Sequence, residues 1–93
     1  MNHLIANHLL NAELQAYREL PFSELRQLVG ERSTRRVRGE DGVNYDLTMI
    51  VRWHPDDECD IHVTGFIGES NWGGPHDTLY DTIVVPNARR GVG

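Results

Sequence analysis

The chain predicts an α+β fold, with two N-terminal helices packed on one face of a four-stranded antiparallel meander. Three observations lead there. Apolar residues recur at intervals of three and four as far as Leu20; after Gly30 the interval falls to two; and clusters of glycine, proline and aspartate cut the second part into four short runs.

From His3 to Leu20 the residues Ile5, Leu9, Ala12, Ala16 and Leu20 form an apolar stripe, widened by Ala6, Leu10, Leu14 and Tyr17. This is the pattern of an amphipathic helix over about residues 3–20. Pro21 ends it, because proline has no N–H to donate and its ring crowds the preceding turn. In P-F-S-E-L-R-Q-L-V-G the chain restarts as a short helix over 22–29, opened by Pro21 or by Ser23 as a cap. It carries Phe22, Leu25, Leu28 and Val29, and Gly30 closes it in the left-handed conformation.

In V-N-Y-D-L-T-M-I-V-R-W, Tyr45, Leu47, Met49, Val51 and Trp53 fall on one face; Asp46, Thr48, Ile50 and Arg52 fall on the other. That alternation predicts a half-buried strand over about 43–54. Upstream, E-D-G at 40–42 suits a hairpin loop with Gly42 at positive φ, joining an arginine-rich strand over 34–39. Its register sets Val37 opposite Tyr45 and Arg36 opposite Asp46. Downstream, I-H-V-T-G-F-I lies in a third strand over 58–67 with Ile61, Val63 and Ile67 inward, and T-L-Y-D-T-I-V-V-P supplies a fourth over 78–85. The tail, 87–93, is expected to fray.

The 93 residues fit one domain spanning 1–93, burying roughly 60–65% of the surface that the unfolded chain exposes. A lone cysteine, Cys59, leaves no internal disulfide, so a reducing cytoplasmic setting is expected. No apolar run reaches the roughly 20 residues of a membrane-spanning helix. The net charge of −5 speaks against a general nucleic-acid or anionic-membrane binder.

The densest chemistry lies in W-H-P-D-D-E-C-D-I-H, Trp53 to His62, with two histidines, a cysteine and four acidic residues. With Pro55–Asp57 as the loop, His54 faces Glu58, Trp53 faces Cys59, Arg52 faces Asp60 and Val51 faces Ile61. That alignment keeps the apolar side chains together and pairs opposite charges. It also separates the two imidazoles by roughly 13 Å, too far to share a metal ion. Asp60 and His62 share a face, but Arg52 opposite would repel a cation. No metal site, no cofactor and no catalytic residue is therefore expected. A weak calcium site on Asp56, Asp57 and Glu58 lacks the twelve-residue loop pattern. Turn formers, exposed partners and a buried thiol account for the whole segment.

Two other surfaces stand out. Four of the nine arginines fall in R-S-T-R-R-V-R, with Arg36 and Arg38 on one face and Arg35 on the other. They suit either an anion-binding surface or an edge strand that charge protects from aggregation, and the second reading accounts for Asp46 opposite Arg36. Trp72, in the glycine-rich N-W-G-G-P, is either a lid on the core or a binding anchor. His3 and His8 face solvent.

The segment E-L-P-F-S-E-L-R-Q-L-V-G, followed by a β-rich half with D-T-I-V-V-P-N near its end, resembles a group of short bacterial proteins of no assigned activity. The resemblance runs from about Glu13 to Asn87. It implies a helix pair with a compact meander, and no reaction or site residues. The reading is a small non-catalytic binding domain acting through a protein partner or as a homodimer, with Trp72, Arg36, Arg38, Asp60 and His62 as candidate contacts. The alternatives are nucleic-acid or anionic-ligand binding through Arg32–Arg38, and a metal-dependent enzyme centred on Asp60 and His62.

Overall fold

The computed structural model describes residues 2–55, 57–70 and 78–86, with the backbone alone at 57–59. Helices α1 (His3–Arg18) and α2 (Phe22–Leu28) precede strands β1 (Arg32–Arg38), β2 (Asn44–His54), β3 (Asp57–Glu69) and β4 (Thr78–Val85). The strands pair antiparallel in the order β1-β2-β3-β4, the expected meander. Helix α1 packs on β3 and β4, and α2 packs on β2.

Asn2 starts α1: its side-chain oxygen accepts the N–H of Leu4 at 3.1 Å and that of Ile5 at 3.2 Å. Two amides that have no partner within the helix are thereby satisfied. The buried stripe is Ala6, Leu10 and Leu14, flanked by half-buried Ile5, Leu9 and Tyr17. Ala12 and Ala16, expected inside, are exposed. The stripe is rotated by about one position because leucines remove far more apolar surface from water than alanines do.

Leu25 is the buried anchor of α2. Gly30 follows with φ +90°, as expected, and donates its N–H to the Val51 carbonyl at 2.8 Å. Val51 in turn donates to Glu31 at 3.3 Å. These bonds tie the connection to β2, and β1 begins at Arg32, two residues earlier than its composition suggests.

The β1–β2 register is the expected one, with Val37 opposite Tyr45 and Arg36 opposite Asp46. Gly42 has φ +81° in the loop, where Gly39 donates to Val43 at 2.8 Å. Along β2, Tyr45, Leu47, Met49 and Val51 are buried while the residues between them are half-buried or exposed. Trp53 is half-buried and meets Phe22 of α2, with ring centres 6.4 Å apart.

The β2–β3 alignment differs from expectation. Arg52 lies opposite His62, Trp53 opposite Ile61 and Val51 opposite Val63, a slide of two residues. An even slide leaves every side chain on its expected face, so the alternation alone does not distinguish the two registers. At the end of the hairpin His54 pairs with Asp57, and the register shifts between Trp53 and His54. One step on β2 is there matched by four on β3, which leaves Glu58, Cys59 and Asp60 as a bulge.

Leu10 of α1 crosses β3 at Gly65, where a Cβ would stand 2.6 Å from Leu10 Cδ1 and 3.0 Å from Met49 Sδ. The helix approaches the sheet this closely because that position has no side chain.

Candidate functional site

The helices cover one face of the sheet. Strand alternation places Arg32, Thr34 and Arg36 of β1 on the other, with Asp46, Thr48, Ile50 and Arg52 of β2. His62, Thr64 and Phe66 of β3 join them, as do Thr78, Tyr80, Thr82 and Val84 of β4. Tyr80 is 71% exposed and Val84 42%. The Phe66 and Tyr80 rings lie opposite each other with centres 6.0 Å apart. Two cross-strand hydroxyl pairs, Thr34 with Thr48 at 2.9 Å and Thr64 with Thr82 at 3.0 Å, fill the middle of the face. A depression of about 180 Å³ beside Phe66 is lined also by Asp46, Thr48, Gly68, Glu69 and Thr78.

The arginines are dispersed. Arg35 turns to the helix side, as its register position requires, and pairs with Glu13 of α1, a bond that raises the guanidinium pKa still further. Arg36 lies 3.7 Å from Asp46. Arg38 lines a different cleft, about 390 Å³, between α1 and the β1–β2 loop, together with Ile5, His8, Leu9, Gly39 and Glu40.

At the other end of the sheet stand the histidines. His54 and His62 meet edge to face with ring centres 4.5 Å apart. This overturns the expectation that roughly 13 Å divides them. The cause is the two-residue slide, which makes His54 a diagonal neighbour of His62 across the hairpin, within reach of aromatic side chains. Burial pushes the His62 pKa below its ordinary value; His54 and Arg52 lower it further, and Asp60 opposes them. A depression of about 430 Å³ opens beside His62, lined also by Arg52, Trp53 and Pro55.

Of the contacts expected from sequence, Asp60 and His62 are close enough to interact electrostatically. Arg36 sits level with Gly68, six residues along β3 from His62, so about 20 Å away. Trp72 and the tail, 87–93, lie outside the described residues, as do the side chains of Asp57, Glu58 and Cys59. Among the described residues no three of His, Cys, Asp and Glu converge as metal ligands. No helix among them is long and apolar enough to cross a membrane.

Sequence reasoning missed the histidine pair and the Phe66–Tyr80 pair. The second was legible: Phe66 has the opposite parity to Ile61, Val63 and Ile67, and Tyr80 the opposite parity to Leu79 and Ile83. Compared with protein-family models, curated proteins and solved structures, the chain has no match, so a functional reading rests on its own residues.

Proposed function

We propose that this is a non-catalytic binding domain whose working surface is the open face of the sheet, and that it binds a protein surface there, in the first instance a second copy of itself. The observation that carries the reading is the exposed Tyr80 beside Phe66, with Val84 on the same strand. Antiparallel sheets commonly leave one face in water, but that face is then polar. Here it carries an aromatic pair, Phe66 and exposed Tyr80, the residue type that protein interfaces concentrate. The threonine hydroxyls bond one another, which lowers the cost of taking this face out of water. Two such faces pack about 10 Å apart as a sandwich. A reducing, cytoplasmic setting fits this reading, since the single Cys59 has no intramolecular partner.

Sedimentation equilibrium tests it. The expected result is a concentration-dependent dimer that Tyr80→Glu converts to a monomer, with the dissociation constant raised at least about tenfold by a charge buried without a partner. A wild-type chain that stays monomeric at millimolar concentration would overturn the self-association.

A second reading, single-stranded nucleic acid, is favoured by one observation: Arg32 and Arg36 share this face with Phe66 and Tyr80. Aromatic platforms beside basic side chains are how such strands are held. That affinity would fall steeply as salt rises, whereas association of two chains of net charge −5 would hold or tighten as salt screens their repulsion.

A further inference from the structure

We propose that His54 and His62 form a binding site for a divalent transition-metal ion, copper(II) above all, clamping the turn end of the β2–β3 hairpin. The ring centres are 4.5 Å apart. Two imidazoles that each hold one ion at about 2 Å have ring centres roughly 4.5–5.5 Å apart, so the strands already supply the spacing. The edge-to-face arrangement becomes a chelating one by turning the rings about χ2, a soft torsion for histidine.

Three further features favour a cation. Both side chains stand on the sheet face that the helices leave open, and the depression beside His62, about 430 Å³, has room for the ion and its remaining water ligands. Asp60 lies near enough to His62 to favour positive charge there, so one described carboxylate stands by the site. Arg52, opposite His62, is exposed, and its flexible guanidinium can swing into water as a cation arrives. Burial and the neighbouring charges disfavour protonated His62, so near neutral pH its imidazole is in the form that binds metal.

With two imidazoles and no third ligand among the described residues, the site suits an ion that imidazole binds strongly and that keeps open positions. Copper(II) stands at the top of the divalent affinity order and accepts square-planar nitrogen ligands. Two imidazoles held side by side bind as a chelate, the second at high effective concentration.

The test uses copper(II) nitrilotriacetate, which leaves two positions for protein ligands, titrated into the full chain carrying His3→Gln. That replacement removes the imidazole nearest the N-terminus as a competitor. The expected result is one copper per chain, with pulsed electron paramagnetic resonance counting two imidazole nitrogens. In the same background His54→Gln and His62→Gln should each weaken binding at least about tenfold, the loss of the chelate, while His8→Gln leaves it unchanged. Circular dichroism of the metal-free variants checks that the hairpin persists. Copper bound through one imidazole or none in the His3→Gln chain, or with equal affinity when either hairpin histidine is replaced, would overturn the site. Neither result bears on the Tyr80 face, whose test is oligomeric state.

Discussion

Replacing Gly65 by valine should destabilise the protein by about 3 kcal/mol or more, near the upper end of what overpacking a core costs. Even alanine there should cost about 1–3 kcal/mol. The added Cβ would sit 2.6 Å from Leu10 Cδ1 and 3.0 Å from Met49 Sδ. Neither neighbour yields easily, because Leu10 is 0% exposed and Met49 3%. Either α1 lifts from the sheet or both side chains leave their rotamers. Leu10→Ala alone should cost about 3–4 kcal/mol through the cavity it leaves. The double variant Gly65→Ala with Leu10→Ala should cost less than the sum, by about 1 kcal/mol, since each change removes the other's defect. Urea denaturation of the four proteins measures this directly. Strict additivity would mean that helix and strand do not touch there.

Tyr45→Ala should cost about 3–5 kcal/mol, the range for deleting a large buried aromatic side chain. Tyr45 is 0% exposed and is among the largest fully buried side chains. The β1–β2 loop is built around it: its hydroxyl donates to Asp41 Oδ2 at 2.8 Å, and the backbone of buried Gly39 lies against its ring. Asp41 Oδ1 also accepts the Val43 N–H at 3.2 Å, so one carboxylate holds both the loop and the ring. Tyr45→Phe keeps the ring and loses the hydrogen bond. That variant should cost only about 1 kcal/mol, because Asp41 is exposed and water replaces the hydroxyl.

Burial, with the bond to Asp41 second, raises the Tyr45 pKa above 10.0. The protonated phenol is thus favoured in the folded state. Its contribution is fully present below pH 10.0 and is lost as pH climbs through the raised value. The difference in stability between wild type and Tyr45→Phe should shrink in that alkaline window.

Much of the fold was legible because local rules wrote it. Pro21, Gly30 and Gly42 act where they stand in the chain, through a missing donor or a positive φ. The β1–β2 register was legible too, because the loop length and the Arg36–Asp46 pair agree on one alignment. The β2–β3 register was not. Slides of zero and two residues bury the same face, and the choice depended on how the chain turns after His54 and where the bulge falls. The histidine pair was lost with it.

Periodicity, turn chemistry and charge, all local in the chain, determined by themselves the two helices, the antiparallel strands and their order, and which side of each strand meets the core. Tertiary packing decided which face of α1 goes inward, how closely it lies on Gly65, and which side chains meet across β2 and β3. Those outcomes depend on shapes and distances between residues far apart in sequence, where alternatives of equal hydrophobic pattern differ only in how well they pack. The candidate metal site belongs to this second group: His54 and His62 are neighbours through a bulge and a slide of two residues that no alternation of apolar and polar residues encodes.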